Sequence, residues 1–524
     1  MAIAAQDSAN ATQLTAVQMM EIGGMRAEWH VVLSACVTIA TMVLTIMKLR
    51  KKIGKLPPGP RALPLIGNIH QIGDFSRRNL MQMAEKYGPI MYMRIGSKPL
   101  LVVSTAEAAH EFLKTQDKEW ADRPTTTADK IFTNDHRNIV CAPYAAHWRH
   151  LRKICTMDLF TPKRLMSFRT PRTEEINQMM TSIHEDVAAG KEVKLHVKLG
   201  HLTTNNITRM LLGKRFFTVD EKGQMEAHRF KELVFELFRA SSTPMIGDFI
   251  PWLKWVSIAS GYVKYLKRVK ADLDAFLQEF LEIKKAASDQ ATAERAKDFV
   301  DLLLEQKTVS GDGPLEDATI RSVIQASYDM LLAGTDTVSN AMEWTIAELM
   351  RHPECMRKLQ QELDTVVGKS RIVSETDLPN LPYLQAVVKE VMRFYPPAPL
   401  SLPHQSIVPT TVCGYDLPAG TQLCINLYAI QRDPKYWPNP VQFNPDRFLN
   451  CDVDVGGTHF QLIPFGAGRR QCPGMPLGNL LLQISVARLV QAFEYSLPRG
   501  TKRNYFMNYY SGANKLTSGI MYLI

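Results

Sequence analysis

The chain is 524 residues long, 45% of them hydrophobic, and carries a formal net charge of +10. Length alone allows several domains or one large one, and near-average contents of Gly, Pro and charged residues exclude a collagenous or disordered protein. The basic residues are spread along the chain. This distribution argues against a nucleic-acid-binding protein and favours a membrane surface or an acidic protein partner.

Eight cysteines are scattered along the chain without a Cys-x-x-Cys pair or a His-rich spacing. This pattern is not that of a zinc site or a disulfide framework, so reduced thiols facing the cytosol are the simplest interpretation. Six of them are interpreted as buried or incidental thiols: Cys141, Cys155, Cys355, Cys413, Cys424 and Cys451.

An apolar segment near the N-terminus predicts a membrane anchor. Residues 31–47 carry no charge and are long enough, at about 1.5 Å per residue, to cross most of a bilayer core. Trp29 precedes them as an interfacial residue, and basic residues follow from Lys48 to Lys55. The positive-inside rule then places the body of the protein in the cytosol. A cleaved signal peptide would have its basic charge before the apolar core and a small-residue cleavage site after it, and this segment has neither.

A basic and Pro-rich hinge, residues 48–60, follows the anchor. Its prolines fix φ and remove N–H donors, which predicts a stiff, non-helical spacer. Beyond it, Met91 to Ser104 is rich in β-branched and apolar residues around a Gly-Ser-Lys-Pro turn. This segment predicts a β-hairpin.

Most of the remaining chain has apolar residues at spacings of three and four, which predicts helices. A short strand pair is predicted within Thr411 to Ile425, and a loop over Gly468 to Gly478 leads into a last helix. No linker of different composition divides Arg61 from Ile524, so we predict one large, mainly α domain with a minor β part. The predicted helices are Glu174–Val187, Phe230–Arg239, Tyr262–Ala287, Asp317–Met350, Pro353–Val367, Leu384–Phe394 and Leu480–Phe493.

The segment from Phe465 to Gly474 reads Phe-Gly-Ala-Gly-Arg-Arg-Gln-Cys-Pro-Gly. It resembles the haem loop of the cytochrome P450 family, Phe-x-x-Gly-x-Arg-x-Cys-x-Gly, at all five defining positions. A lone cysteine in a Gly-rich loop is usually an inert thiol, whereas this match implies that Cys472 is the axial ligand of a haem iron.

The residue types of this loop suit that role. A thiolate pushes electron density onto iron and favours cleavage of the O–O bond. To stay ionised in a poorly hydrated pocket, Cys472 needs main-chain N–H groups and the positive end of the following helix directed at its sulfur. Gly468 and Gly474 would let the main chain approach the sulfur and the porphyrin. Arg470 would bind a haem propionate, and Phe465 would pack on the proximal ring face.

A Glu-x-x-Arg pair matches a second family feature. Glu390 and Arg393 lie three residues apart on one helix face, a spacing that alone usually means a solvated ion pair of little value. Arg447, in a Pro-Asp-Arg-Phe segment, occupies the place of the family's third member. The resemblance implies a buried structural triad that fixes the loops holding the cysteine, in which loss of one member would leave charge unpaired.

In the long predicted helix, Ala333-Gly334-Thr335-Asp336-Thr337 matches the family's oxygen-activation motif. By resemblance, Gly334 leaves room for O₂ between the helix and the iron, and Thr337 with Asp336 delivers protons to the distal oxygen. A helical threonine by itself more often donates to a carbonyl of its own helix. Val338 stands where many members carry a second hydroxyl, a departure that bears on the outer proton relay.

Trp148 and Arg152 form the Trp-x-x-x-Arg pattern of the family's helix that faces the haem, and by resemblance both bind a propionate. His404 occupies a position where relatives often have a propionate-binding Arg or His. The resemblance extends from the apolar anchor to about Met521 and is greatest to the plant endoplasmic-reticulum branch, within its large clan of specialised-metabolism hydroxylases.

The resemblance implies a cytochrome P450 fold, a large helical domain around a buried haem, in a single-pass protein of the endoplasmic reticulum membrane. The expected parts are a lumenal N-terminus (1–28), a transmembrane anchor (29–47), the hinge (48–60) and a cytosolic catalytic domain (61–524). The cofactor would be haem b. The lining of the apolar substrate pocket is expected, by resemblance, at Lys118–Cys141, Leu237–Phe249, Tyr328, Leu332, Ala333, Ala398–Leu402 and Ser511–Ala513.

Electrons would come from NADPH through a separate reductase, because the sequence has no flavin or nicotinamide fingerprint. By resemblance this partner is the membrane-bound NADPH–cytochrome P450 reductase, whose acidic face would meet Arg149, Lys153 and Arg469 near the proximal loop.

The expected activity is insertion of one oxygen atom from O₂ into a small lipophilic plant metabolite, with hydroxylation of a phenolic or phenylpropanoid-derived compound as the favoured interpretation. On the same fold, a haem-thiolate isomerase or dehydratase is an alternative that the retained Asp336 and Thr337 argue against. Conversion of an amino acid to an aldoxime is another. A non-catalytic haem- or lipid-binding membrane protein is the alternative from a different class.

Overall fold

The computed structural model describes residues 54–72, 75–217, 243–288, 317–496 and 522–523, with short runs or single positions between 34 and 41 and between 229 and 241. This part of the chain is mainly helical with a small amount of β-sheet, as the apolar spacing in the sequence predicts.

The helices of the described residues are numbered in chain order. They are α1 (Ile69–Ile72), α2 (Arg77–Tyr87), α3 (Ala106–His110), α4 (Thr127–Phe132), α5 (Ala146–Ile154), α6 (Pro162–Ser167), α7 (Arg169–Ala188), α8 (Leu195–Leu212), α9 (Ile246–Phe249), α10 (Lys254–Ala259), α11 (Tyr262–Ser288), α12 (Asp317–Arg351), α13 (Pro353–Val366), α14 (Pro382–Phe394), α15 (Leu427–Ile430) and α16 (Met475–Ala492). Glu111–Thr115 and Cys155–Leu159 continue α3 and α5 as π-helical turns, and 3₁₀ turns lie at Pro251–Leu253, Leu378–Asn380, Pro445–Phe448 and Gly468–Arg470.

The sheet part is small. The predicted hairpin is confirmed as β1 (Ile90–Ile95) and β2 (Lys98–Val103), which pair antiparallel with Ile90 opposite Val103. β2 runs parallel to β6 (Gln422–Ile425), and β6 pairs antiparallel with β3 (His404–Gln405), so the sheet order is β1-β2-β6-β3. Two-stranded pairs are formed by β4 (Thr410–Val412) with β5 (Tyr415–Leu417) and by β7 (Tyr495–Ser496) with β8 (Tyr522–Leu523).

The strand pair predicted within Thr411 to Ile425 is confirmed as β4 and β5, and the same segment also supplies β6 to the larger sheet. β4 turns into β5 at Cys413 and Gly414, whose φ angles are 51° and 78°. Pro418 follows β5, and a residue without an N–H cannot extend the ladder. The chain then leaves this hairpin and enters the larger sheet as β6.

The long helix α12 organises the helical part. At 35 residues and about 1.5 Å per residue it is roughly 50 Å long, and it packs against α8, α14 and α16. Ala341, Met342 and Ile346 belong to one buried apolar cluster, whereas Met330 and Leu331 belong to another. The segment between them, residues 333–340, therefore lies where the two clusters meet.

The predicted long helices are confirmed to within a few residues, as α11 and α12 show. The last helix differs, because the predicted loop to Gly478 is wrong and α16 begins at Met475. Pro476 lies in its first turn, where a main-chain N–H would have no partner within the helix, so the proline is compatible with a helix start there.

The apolar spacing did not predict α8, whereas α5 is the helix that the Trp-x-x-x-Arg pattern implied. In α8, four consecutive polar residues from Thr203 to Asn206 are buried and interrupt the apolar spacing. The Asn205 carboxamide oxygen accepts hydrogen bonds from the main-chain N–H groups of Phe216 and Phe217 (3.2 and 2.9 Å). Buried polar groups need such partners, and these come from residues beyond the helix.

The predicted anchor, 29–47, lies almost wholly outside the described residues, where only helical positions between 34 and 41 are placed. Across the described ranges, no helix combines the length and apolar composition needed to cross a membrane. In the predicted helix Phe230–Arg239, positions 232, 233, 235–237 and 239 are helical and the other four lie outside the description. The whole of Ser511–Ala513 and the side chains of Tyr328 and Leu332 also fall outside it.

A buried ion cluster joins α14 to the loops before the cysteine. Glu390 and Arg393 are both fully buried and form a two-pronged ion pair at 2.7 and 2.8 Å. Arg447 Nε donates to the same carboxylate at 3.2 Å, and Arg393 also donates to the carbonyls of Gln431 and Pro440. The structure thus brings together the three residues of the predicted triad and ties the loop through residue 447 to α14.

Arg393→Ala should lower the free energy of unfolding by about 3–5 kcal/mol, because it leaves the Glu390 carboxylate buried without its main partner. Thermal or denaturant unfolding of the purified protein measures this. Lys358→Ala is the matched control, since it breaks an ion pair with Asp446 in which both side chains are about half exposed, and it should cost less than about 1 kcal/mol. Equal losses in the two variants would contradict a structural role for the buried cluster.

Candidate active site

The loop around Cys472 is held by main-chain contacts. The N–H of Cys472 donates to the Phe465 carbonyl at 2.9 Å, and a 3₁₀ turn at Gly468–Arg470 lies between them. Gly468 has a φ of 68°, and a Cβ there would collide with the carbonyl oxygen of Leu113. The expectation that Gly468 makes room for sulfur or porphyrin is therefore wrong, because its constraint comes from the backbone turn and the segment after α3.

Gly474 lies beside the sulfur. A Cβ there would be 3.9 Å from Cys472 Sγ and 3.8 Å from Phe160 Cζ, both ordinary van der Waals distances. The close approach to sulfur expected at Gly474 is therefore not seen, and its approach to the porphyrin stays a prediction. The main-chain N–H groups of Gly474 and Met475, at the start of α16, act on the sulfur and lower its pKa, as does Arg152. Burial has the larger, opposite effect and raises the pKa of the Cys472 thiol. Partners for an anionic sulfur are thus in place, but protein groups alone do not keep it ionised.

The Cys472 side chain is accessible by surface area although its sulfur is surrounded by protein atoms. Both observations are satisfied if the sulfur faces an internal cavity. On α12, Ala333, Asp336 and Thr337 are likewise exposed although the turns on either side are buried. Exposed residues in the middle of a packed helix indicate the same kind of space.

Arg470 is the centre of a cluster of cations near the cysteine. It donates to the carbonyls of Ala121, Ile139 and Ala142, and its guanidinium lies 4.3 Å from the centre of the Trp148 ring. Burial, with repulsion from Arg123, lowers the pKa of Arg470 to about 9. Three hydrogen bonds leave two of the five guanidinium N–H groups for another acceptor.

Trp148 does not present its N–H to a cofactor in this structure. The indole Nε1 donates to the Ile139 carbonyl at 3.0 Å, and the side chain is buried. The propionate contact expected for Trp148 therefore has no direct support here and stays a prediction. Trp148 instead holds the loop that carries Ile139 and packs beneath Arg470.

Arg152 lies beside the sulfur. It donates to the carbonyl of Gln471, the residue before Cys472, and burial lowers its pKa. The structure therefore shows Arg152 acting on the cysteine loop and gives no direct support to the propionate contact expected for it.

Arg123 is a cation that the sequence analysis left unassigned. It donates to the carbonyls of Val140, Leu402 and Pro403 at 2.7–3.2 Å, and burial lowers its pKa to about 10. Arg123 stands in the segment Ala121-Asp122-Arg123-Pro124, in which no spacing indicates a role for it. Its position became clear only when the loops were assembled.

His404 lies in β3 next to these arginines. Its Nδ1 is 3.0 Å from the Trp120 carbonyl, and since a carbonyl only accepts, Nδ1 carries the proton. Burial, followed by Arg123, holds the pKa of His404 well below its ordinary value. His404 is therefore neutral at pH 7, and a cationic role for it is not supported.

The cluster fits a cofactor that carries carboxylates. In the described part of the chain, Arg123, Arg470 and Arg152 are half-buried and donate to carbonyl oxygens, and desolvation dominates the lowered pKa of each. Partly desolvated cations of this kind normally have an anionic partner. The two propionates of haem, with the sulfur of Cys472 as ligand, would supply the missing negative charge and fill the internal space.

Residues of α12 face this space in different directions. The Thr337 hydroxyl donates to the Ala333 carbonyl at 2.5 Å, so here it makes the intrahelical bond that is usual for threonine. Burial raises the pKa of Asp336. A Cβ at Gly334 would face Ile207 of α8 at 3.6 Å. This is an ordinary van der Waals distance, so the packing of α12 on α8 does not require glycine here, and the expectation that Gly334 makes room for O₂ stays a prediction.

Val338 has a packing role. A Cβ at Gly478 in α16 would lie 3.6 Å from Val338 Cγ2 and 3.9 Å from Phe465. An apolar side chain suits this contact between α12, α16 and the cysteine loop, whereas a hydroxyl there would need a partner. The contact also shows that the Asp336–Thr337 turn lies close to the segment containing Cys472.

Comparison with known proteins agrees with this arrangement. The cytochrome P450 family model matches residues 57–520. Among curated relatives, cytochrome P450 98A1 of Sorghum bicolor is 38% identical, covering 90% of this chain and 91% of its own. Flavonoid 3'-monooxygenase CYP75B3 of Oryza sativa subsp. japonica is 39% identical, covering 86% of each chain. Phenylacetaldehyde oxime monooxygenase CYP71AN24 of Prunus mume is 40% identical, covering 85% of this chain and 84% of its own.

A zebrafish cytochrome P450 solved with progesterone matches with a TM-score of 0.68 and 28% identity, covering 82% of this chain and 94% of that one. The chain belongs to the cytochrome P450 family. It is an oxygen-incorporating oxidoreductase with plant monooxygenases among its relatives, and the family implies a haem cofactor and a redox partner.

Asp336→Asn should raise the thermal unfolding midpoint, because burial raises the pKa of Asp336 and the folded state therefore disfavours its charged form. The gain should be absent below the ordinary aspartate pKa of about 3.9. It should grow as the pH rises and level off above the folded-state pKa. Scans at several pH values measure it, with exposed Asp364→Asn as control. A gain that shrinks with rising pH would contradict the assignment.

Proposed function

We propose that the protein is a haem-thiolate monooxygenase in which Cys472 ligates the haem iron. The observation that carries the proposal is a thiol facing an internal cavity, supported by N–H groups of α16 and bordered by buried cations. Haem bound there would supply the chemistry that activates O₂.

Arg470 and Arg123 are proposed to bind the propionates, since each is partly desolvated and retains donors beyond its carbonyl contacts. Arg152 favours the ionised form of Cys472 and fixes the adjacent carbonyl of Gln471. Neutral His404 positions the strand beside them through Trp120. Each residue holds the cofactor or the loop that contacts it.

Asp336 and Thr337 are proposed to handle protons on the opposite side of the cavity. Asp336 has a raised pKa, which makes it a better proton donor near neutral pH than an ordinary aspartate. To take part, the Thr337 hydroxyl must leave the Ala333 carbonyl. Retention of this pair argues against an isomerase or dehydratase, which does not use O₂.

Cys472→Ser should abolish both the thiolate signature of the reduced carbon monoxide complex and NADPH-dependent oxidation, because a serine hydroxyl is not ionised at neutral pH and is a poor ligand for haem iron. Difference spectra of microsomes containing the variant measure the first effect. Cys155→Ser is the matched control, since Cys155 is another buried thiol and should be dispensable. An unchanged spectrum in Cys472→Ser would reject the proposal. It would also reject the alternative of a non-catalytic thiolate-haem protein.

We propose a small lipophilic substrate with an aromatic ring, phenolic or phenylpropanoid-derived, which the enzyme hydroxylates. Two relatives of 39–40% identity are named for a flavonoid and for phenylacetaldehyde oxime, both of which contain an aromatic ring. The experiment is turnover of pooled aromatic metabolites with a reductase and NADPH, read as a gain of one oxygen atom from labelled O₂. Conversion of aliphatic compounds alone would exclude this class.

Oxime chemistry is the second candidate, because the phenylacetaldehyde oxime monooxygenase is 40% identical. The same assay, run with aromatic aldoximes and in parallel with amino acids, separates the possibilities. Amino acids that yield oximes would identify an oxime-forming enzyme, and consumption of oximes would identify the later reaction.

We also propose that the catalytic domain rests on the endoplasmic reticulum membrane, below the predicted anchor. Trp252, Trp255 and Ile258 are 52–64% exposed, and Leu65 is 58% exposed. Their segments meet at the β1–β2 turn, where the Ser97 N–H donates to the Phe249 carbonyl and the Gly96 N–H to the Ile66 carbonyl. A patch of exposed Trp and aliphatic side chains is typical of a membrane contact.

The surface near the proximal loop is the proposed reductase site. Arg149 and Lys153 are exposed on α5. Arg469 is less available than the sequence suggests, because it pairs with Asp117 at 2.7 Å and donates to Tyr144 at 2.9 Å. Arg149 and Lys153 are therefore the stronger candidates for contact with an acidic partner.

Reversing the charge in Arg149→Glu with Lys153→Glu should slow reduction by the reductase, most at low salt, because complementary charges speed association. Stopped-flow reduction under carbon monoxide at several ionic strengths measures this. Lys130→Glu is the control, since Lys130 is an exposed lysine on α4, which packs against α11. Rates insensitive to both salt and the double substitution would contradict this docking surface.

A further inference from the structure

The loop of residues 137–142, between α4 and α5, lies between positive and negative side chains. On its carbonyl side, Ile139 accepts from Trp148 and Arg470, Ala142 accepts from Arg470, and Val140 accepts from Arg123. These cations and the indole are the groups that border the proposed haem site. Any movement of the loop would therefore move the donors that bind the propionates.

Asp329 of α12 lies on the other side of this loop. The Asn138 carboxamide donates to Asp329 Oδ1 at 2.9 Å, and its oxygen accepts from the N–H of Cys141 at 3.0 Å. The main-chain N–H groups of Val140 and Ile139 also face the carboxyl and favour its charged form. The loop thus has an acid on its N–H side and arginines on its carbonyl side.

This placement is costly for the fold. Burial dominates, with a contribution from nearby Asp129, and raises the pKa of Asp329 to about 7. The second oxygen, Oδ2, is buried without a hydrogen-bond partner among the residues described. Neighbouring Cys141 and Cys155 are thiols whose pKa values are raised in part by the same carboxyl. A neutral side chain would cost the fold less here, which points to a reason beyond stability.

The position of Asp329 on α12 suggests that reason. It lies four residues before Ala333 and seven before Asp336, on the same helix face. Asp329 therefore joins α12, which carries Asp336 and Thr337, to the loop that holds Arg470 and Trp148. We propose that Asp329 is a positioning residue: its carboxylate fixes the loop 137–142 from the N–H side. It thereby sets the positions of Arg470 and Arg123, the proposed partners of the haem propionates.

The inference rests on the proposed haem site, and its test uses the full-length, haem-loaded protein in membranes or detergent. Asp329→Asn keeps the side-chain shape and removes the charge. Hydrogen exchange of the peptide containing Ile139 and Val140 should become faster. Transfer of haem to apomyoglobin should become about tenfold faster, the loss typical when a group that orients a cofactor-binding residue is removed. The reduction potential should become less negative, because a nearby negative charge is lost.

Glu343→Gln is the matched control, since Glu343 is another buried carboxylate on α12, four turns from the loop, and it should leave exchange and haem transfer unchanged. Asp329→Ala should match Asp329→Asn in haem transfer if the charge, and not the shape, fixes the loop. Unchanged loop exchange together with unchanged haem transfer in Asp329→Asn would overturn the inference. The reduced carbon monoxide spectrum separates the role of Asp329 from the proposed function. If the wild type lacks the thiolate signature, the proposed function fails. If the wild type and Asp329→Asn both show it, only the role of Asp329 is in question.

Discussion

The constraint on which the site depends is the cost of placing unpaired positive charge inside the protein. Arg470, Arg123 and Arg152 are half-buried, and desolvation lowers the pKa of all three. Carbonyl oxygens offset part of this cost because they accept hydrogen bonds without carrying a full charge. The loops after α3, before α5 and before β3 therefore present carbonyls toward one point. The remaining positive potential is what would bind an anionic cofactor.

Carbonyl groups can offset the desolvation cost of the arginines only if the loops that carry them do not move. The surrounding structure holds these loops in place. The ion cluster of Glu390, Arg393 and Arg447 fixes the segment before the cysteine loop to α14. Gly468 allows the 3₁₀ turn to lie against the segment after α3. α12 packs between two apolar clusters and leaves its middle turns open. Rigid elements around an open centre are what a preorganised cofactor site requires.

Sequence and structure agree best where a residue's chemistry is local. The environment of Cys472, with N–H groups of a helix start directed at sulfur, follows from its position before α16. The β1–β2 hairpin was also predictable, because turn residues define it. The buried Glu-Arg-Arg cluster followed only from the resemblance to the family, since Glu-x-x-Arg spacing alone indicates a solvated ion pair. Sequence and structure differ for Gly468, where the space of the missing side chain is taken by the Leu113 carbonyl, and Trp148 donates to a loop carbonyl that no motif indicated.

The sequence by itself determined the family, the mainly helical fold, the extent of the longest helices and the cysteine that is proposed to bind iron, since these depend on local spacing and on motifs of fixed length. Only the tertiary structure decided which groups surround the site. Arg123 and Asp329 take their significance from loops that are distant in sequence but adjacent in space, and buried Asn205 of α8 finds partners outside its helix. Hydrogen bonds and desolvation act between groups that folding brings together, so no local pattern could reveal them.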